Sequence, residues 1–186
     1  MLWVVLGFAL LVVAVLGWGI ATFNALVRRR NQVQAAGAQI DVQLKRRHDL
    51  IANLVQTVQG YAQHERGTLE AVVTARQGAM AATGAPRGAQ AAAEGALTHA
   101  LGRLLAVAEA YPELTANQNF LALQGELAAT EDKIAYARQF LNSAVQTLNT
   151  SVESVPGNLV AALGGFRRAE YFEAADGERG DVRVRF

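Results

Sequence analysis

The chain contains no cysteine, which removes thiolate nucleophiles, cysteine-ligated zinc and iron–sulfur clusters from consideration. Proline is scarce: Pro86, Pro112 and Pro156 are the only 3 in 186 residues, so long stretches are free to be helical. Collagen-like and disulfide-stapled architectures are excluded with them. A surplus of either charge is also missing. Seventeen basic residues face 16 acidic ones, and a net charge of +1 provides no global field for nucleic acid or acidic substrates. No aromatic residues are interleaved within the basic runs Arg28–Arg30 and Lys45–Arg47, so a nucleic-acid partner is not expected. Catalytic signatures are lacking too: there is no Gly-x-Ser-x-Gly, no P-loop and no Gly-rich dinucleotide turn. The histidines are His48, His64 and His99, and none stands in an HExxH or ExxH pair. His48 and His64 fall sixteen residues apart on one predicted helix, roughly 24 Å, too far to share a metal. Interhelix or surface hydrogen bonding suits these histidines better. No catalytic, metal-ligating or cofactor-binding residue is expected.

What is present is a strongly uneven distribution of charge. Residues 1–27 contain no Asp, Glu, Lys, Arg or His. An apolar run of about 20 residues crosses the roughly 30 Å hydrocarbon core as a helix, the only single-segment form that satisfies its own backbone there. A cleaved leader would carry a basic n-region and a shorter apolar core, and this segment has neither. Trp3 and Trp18 suit the two membrane interfaces, and Arg28, Arg29 and Arg30 stop insertion. These five residues are the expected membrane anchor. Arg28–Arg30, followed by Lys45, Arg46 and Arg47, put the positive flank after the span. The positive-inside rule then predicts a single-pass cell-membrane protein, N-terminus outside and body cytoplasmic.

The body reads as helical throughout. From residue 24 to about 82 apolar residues recur at Leu26, Val33, Ile40, Leu44, Ile51, Leu54, Val58, Tyr61, Leu69 and Val72, mostly three, four or seven apart. That periodicity predicts one long amphipathic helix of roughly 85 Å, continuing out of the span and weakened locally at Gly37, Gly60 and Gly67. Pro86 predicts a hairpin turn at 83–88. A second helix is predicted from about 89 to 111, ended by Pro112, and Thr115 with Gln118 reads as a capping box. In the third helix Phe120, Leu127, Ile134, Leu141 and Leu148 repeat every seventh residue, with Leu123, Thr130, Ala137 and Ala144 beside them. A strict heptad predicts supercoiled helix packing. Asn158 reads as the cap of a short fourth helix, 159–163, ended by Gly164 and Gly165. Residues 166–186 form a tail with apolar anchors Phe166, Tyr171 and Phe172, a loop at 176–180 and a strand-like alternation at 182–186. It is either docked on the bundle or disordered.

The fold class is therefore all-α. A transmembrane helix over 1–27 precedes an antiparallel helical bundle over 28–165, of three long helices plus a short fourth, and then the C-terminal tail over 166–186. The densest charged stretch runs Asp41-Val-Gln-Leu-Lys-Arg-Arg-His-Asp49. It reads either as a solvated face self-paired through Asp41–Lys45 and Lys45–Asp49, or as a partner-docking surface made by Asp41, Lys45, Arg46, Arg47 and Asp49. Lys45 stands about 25 Å beyond the span on a straight helix, so a protein partner fits better than lipid headgroups. The predicted first helix is also much longer than the second. Part of its seam is expected to lack an intrachain partner, which opens a route to self-assembly.

Several segments together resemble the LemA family. They are Phe23-Asn-Ala-Leu-Val-Arg-Arg-Arg-Asn-Gln-Val33, Ile40-Asp-Val-Gln-Leu-Lys-Arg-Arg-His-Asp-Leu-Ile51, Asn53-Leu-Val55, Gly60-Tyr-Ala-Gln-His-Glu65 and Ala75-Arg76. Tyr111-Pro-Glu-Leu114, Asn119-Phe-Leu-Ala-Leu-Gln124, Thr130-Glu-Asp-Lys-Ile-Ala-Tyr-Ala-Arg138, Gly165-Phe166 and Tyr171-Phe-Glu173 continue the likeness in order. Phe23, Gly37, Ala52 and Leu148 stand where Tyr, Trp, Pro and Tyr are common in the family. The resemblance implies a single N-terminal membrane helix, a cytoplasmic antiparallel bundle and no established enzymatic activity. Members linked to magnetosome membranes, or encoded near a membrane metalloprotease or TPM-domain proteins, imply a membrane-organising scaffold or adaptor. The partners implied are the lipid bilayer, other membrane proteins such as a membrane metalloprotease, and further copies of the chain as a homo-oligomer. The alternative is a self-assembling, membrane-remodelling or cage-like oligomer.

Overall fold

The computed structural model describes residues 1–62 and 64–172. Among the described residues the regular elements are all helices: α1 (Leu2–Tyr61), α2 (Arg66–Ala81), α3 (Arg87–Ala108), α4 (Pro112–Thr115), α5 (Gln118–Glu153) and α6 (Gly157–Leu163). The chain forms two compact units. One comprises Met1–Gly37 with Phe140–Ala169, and the other Ala38–Gln139 with the described residues from Glu170 on. The expected loop at 176–180 and the alternation at 182–186 lie outside the described residues.

The first unit holds the apolar start of α1. This helix is long and apolar enough to cross a membrane, and its most apolar stretch is entirely unburied. A small core begins where that stretch ends. Leu26, Leu148, Ala161 and Phe166 are buried together, with Val27, Val33, Val152, Val160 and Ala169 packed on them. Phe23 meets Phe166 edge-to-face at 5.4 Å between ring centroids, and the Arg30 guanidinium lies 5.3 Å from the same ring. The tail enters this core because α6 ends in a Schellman motif. Gly165 takes φ +68°, the Gly165 N–H donates to the Ala162 carbonyl, and the Phe166 N–H donates to the Ala161 carbonyl. Ala161 and Phe166 supply the apolar contact that accompanies such caps. Asn149 then grips the chain: its Nδ2 donates to the Ala169 carbonyl at 3.0 Å and its Oδ1 accepts from the Ala169 N–H at 2.8 Å. Phe166 and Phe172 are buried, whereas Tyr171 is half exposed. The described part of the tail is thus docked, without Tyr171 as a main anchor. Asn158 is not the helix cap. The cap position is Pro156, and the Asn158 Oδ1 is buried without a hydrogen-bond partner.

The second unit is built on the two longest helices, α1 and α5. Ile51, Leu54 and Val58 of α1 share a core with Val72 of α2, Leu97 and Leu104 of α3, Leu114 of α4 and Phe120 of α5. The predicted single helix of 24–82 is interrupted at 62–65. The Ala62 N–H closes the last turn onto Val58, and the Glu65 N–H donates back to the Ala62 carbonyl. Glycines flank the break at Gly60 and Gly67, where a helix is least favoured, and Ala62 is small enough to be fully buried at the turn. Pro112 does not merely terminate α3. The helix ends earlier, at Ala108, and Pro112 opens α4, where its fixed φ and missing N–H cost little. The predicted capping box is also replaced. The Thr115 hydroxyl donates to the Pro112 carbonyl, and Asn117 Oδ1 caps α5 by accepting from the Asn119 and Phe120 N–H groups at 2.8 and 3.2 Å.

The heptad of α5 is realised in both units. Phe120, Leu127 and Ile134 are buried in the second, and Leu141 and Leu148 in the first. Buried Thr130 satisfies its hydroxyl by donating to the Glu126 carbonyl. The seam of α1 is matched within the chain, because Leu26, Ala36, Ile40, Leu44, Ile51, Leu54 and Val58 are all buried. The expected unpartnered seam, and with it the packing argument for self-assembly, is not found.

Gly164 tests the tail's docking. A Cβ there would stand 2.7 Å from a Phe166 ring carbon and 2.9 Å from one of Phe23. Gly164→Ala is expected to destabilise the detergent-solubilised chain by about 1–3 kcal/mol. Gly88→Ala, with open space at its Cβ, should be neutral or mildly stabilising. Thermal melting followed by circular dichroism checks the order of the two.

Candidate partner surface

The α-helical repeat splits the charged stretch of α1 between two faces. Leu44, Arg47 and His48 turn inward and are buried; Lys45, Arg46 and Asp49 turn outward and are exposed. Arg47 is therefore removed from the expected docking surface. Its guanidinium donates from Nη1 to Glu94 Oε2 at 2.9 Å and from Nη2 to Thr98 Oγ1 at 2.8 Å, while Nε lies 2.7 Å from Glu131 Oε1. One guanidinium thus hydrogen-bonds α1 to α3 and forms an ion pair with α5, its Nε–H making no hydrogen bond. Glu94 is itself buried, and its other carboxylate oxygen lies 2.8 Å from His48 Nε2. The Arg76 Nε–H donates to the His48 carbonyl at 2.7 Å, which brings α2 to the same place. His48 is thus an interhelix hydrogen-bonding residue.

Asp41 is also engaged away from its own helix. Its Oδ1 accepts from Arg87 Nη1 and from Gln90 Nε2, both at 3.0 Å. The same Arg87 Nη1 donates to Gln90 Oε1 at 2.7 Å. The expected Asp41–Lys45 self-pairing gives way to this α1–α3 contact, because a partner held by tertiary packing loses less entropy than a free lysine. Sequence reasoning missed Glu94, Gln90 and Arg87, which sit in the Ala- and Gly-rich stretch. A lone Glu among alanines, three residues before the buried Leu97, was the available signal. Among the described residues no three His, Asp or Glu side chains are placed to hold a metal ion.

The exposed face of the second unit differs in character. An open groove of about 560 Å³ runs between α1 and α5, lined by Ala38, Gln39, Val42, Gln43, Asp132, Lys133, Tyr136 and Ala137. Tyr136 is 74% exposed and Val42 63% exposed, apolar side chains left on the surface of the second unit. Val42 also borders a neighbouring hollow formed with Lys45, Arg46, Asp49, Leu50 and Asn53. Arg46 reaches across to Glu126 of α5 in an exposed ion pair. Of the residues expected to dock a partner, Lys45, Arg46 and Asp49 lie on this face. Val42 and Tyr136 join it, although no charge pattern singled them out. In the first unit, Trp3 and Trp18 are exposed on the apolar part of α1. Arg28 is exposed, Arg29 donates to the Ser151 hydroxyl, and Arg30 covers the Phe166 ring.

The buried fork yields a stability prediction. Arg47→Ala leaves the buried Glu94 carboxyl without its guanidinium partner, and is expected to cost about 3–5 kcal/mol. Replacing both groups, as Arg47→Met with Glu94→Leu, should recover most of that loss. Lys45→Ala should change stability by less than about 0.5 kcal/mol. Chemical denaturation of the purified chains checks all three.

The family model described as LemA family matches residues 36–186. Magnetosome protein MamQ 2 of Paramagnetospirillum magneticum is 30% identical over 186 residues, an alignment covering 87% of this chain and 68% of that protein. Magnetosome protein MamQ of Magnetospirillum gryphiswaldense is 28% identical over 174 residues, covering 81% and 64%. Protein LemA of Metamycoplasma hominis is 24% identical over 159 residues, covering 86% and 72%.

Proposed function

Because this chain belongs to the LemA family, we propose that it is a membrane-anchored scaffold or adaptor that presents the α1–α5 face to another membrane protein. The observation that carries the reading is the groove with exposed Val42 and Tyr136, bordered by Lys45, Arg46 and Asp49. An apolar centre with a charged rim is the usual anatomy of a protein contact. The role is contact rather than catalysis. Supporting this, the buried ionisable groups Arg47, His48 and Glu94 are occupied with one another in joining helices. The apolar N-terminal helix supports a single-pass anchor, and the magnetosome proteins among the relatives support a membrane setting. The arginines after the apolar run support a cytoplasmic body, with the N-terminus outside. A membrane metalloprotease is one partner of the right class.

A photo-crosslinker at Tyr136, in intact cells, tests the surface. The expected product joins this chain to a second membrane protein, and it should disappear when Lys45→Glu is combined with Asp49→Lys. An adduct that survives those reversals would reject this face as the contact. An adduct between two copies alone would replace the adaptor reading by self-assembly. Sidedness is checked separately: a Cys at Ala92 should resist impermeant maleimide added outside intact cells.

A further inference from the structure

The anchor does not account for the apolar side chains at the corner between α5 and α6. Residues 154–166 include no ionisable group. Within that stretch Val155 is 79%, Leu159 63% and Leu163 91% exposed. Charge returns on either side, at Glu153 and at Arg167 and Arg168, and Arg168 Nε lies 2.7 Å from Glu153 Oε1. An uncharged segment of this length is too short to span a bilayer and suits an interfacial or re-entrant element.

Position along α1 decides what covers it. Leu163 shares an apolar groove of about 440 Å³ with Val15, Leu16, Gly19, Ile20 and Phe23. A hydrocarbon core takes up about 20 helical residues. Wherever 20 residues are placed within the uncharged 1–27 stretch after Met1, Val15, Leu16, Gly19 and Ile20 fall inside it. A side chain beside them in the same unit is at hydrocarbon depth as well. Backbone chemistry permits this. The Gly164, Gly165 and Phe166 N–H groups donate to Val160, Ala162 and Ala161, and the Asn158 and Leu159 N–H groups donate to Ser154 and Pro156. These donors need no water, which lipid cannot supply. Arg28, Arg30, Arg167 and Arg168 are exposed on the chain just beyond the uncharged stretches, as headgroup phosphates require.

We propose that the α5–α6 corner is a second membrane element, immersed in the leaflet next to Arg28–Arg30, with lipid acyl chains occupying the α1–α6 groove. A second copy of the chain suits the groove less, because lipid already surrounds the α1 wall. The proposal rests on α1 spanning the bilayer, and the experiment separates the two. The absence of native cysteine allows single labels in the full chain. Bimane is attached at Leu163→Cys or Leu159→Cys, with Leu16→Cys as the span control and Ala92→Cys as the aqueous control. The proteins are reconstituted in vesicles of phosphatidylcholine and phosphatidylglycerol. Acyl-chain doxyl lipid should quench Leu163→Cys and Leu159→Cys as it does Leu16→Cys, whereas iodide should quench only Ala92→Cys. Iodide quenching at both corner sites, with Leu16→Cys still quenched by lipid, overturns the corner's immersion and leaves the anchor standing. Iodide quenching at Leu16→Cys rejects the anchor and the proposal with it. Protection of both corner sites from both quenchers places protein over the groove and overturns the acyl-chain occupant.

Discussion

The guanidinium of Arg47 is the constraint on which the helical unit around it depends. A buried cation must be met by acceptors and counter-charges, and here they come from different helices: Glu94 and Thr98 accept its hydrogen bonds from α3, and Glu131 of α5 pairs with its charge. Glu94 then holds His48, and the His48 carbonyl receives Arg76 from α2. Apolar seams can slide by a turn and still bury area. A planar fork with two acceptors on α3 and a carboxylate beside it on α5 tolerates no such shift, so it fixes the register that the leucine and alanine contacts leave open.

Register in turn sets the outer face. With Arg47 and His48 drawn inward, Lys45, Arg46 and Asp49 are forced outward by the same helical repeat. Val42 comes with them and lines the same groove as Tyr136. The exposed character of this face is therefore a consequence of the internal ion network, and the two cannot vary independently.

How much of this was legible beforehand follows the range of the interactions. The heptad from Phe120 to Leu148 was readable because a repeat of seven is local, and every member is buried. The apolar start of α1 was readable for the same reason. Arg47 was not: nothing in Lys45-Arg46-Arg47 says which arginine turns inward, since its acceptors lie 47 residues away or more. The break at 62–65 was half visible in Gly60 and Gly67, but a helix weakened by glycine ends only where the core has a place for the turn, here around Ala62. Thr115 and Asn117 competed for one cap. Local pattern favoured the Thr–Gln box, and burial of Leu114 one residue before Thr115 committed that threonine to α4 instead.

Asn149 holds Ala169 by a carboxamide facing a peptide group, one donor against one acceptor in each direction. Such a clasp reads main chain only, so it is indifferent to the identity of the residue it holds, provided the space is respected. The two ends consequently have unequal freedom to drift. Position 169 can exchange one small side chain for another without loosening the clasp. At 149 even aspartate, nearly the same shape, would set oxygen against oxygen and release the chain at that point.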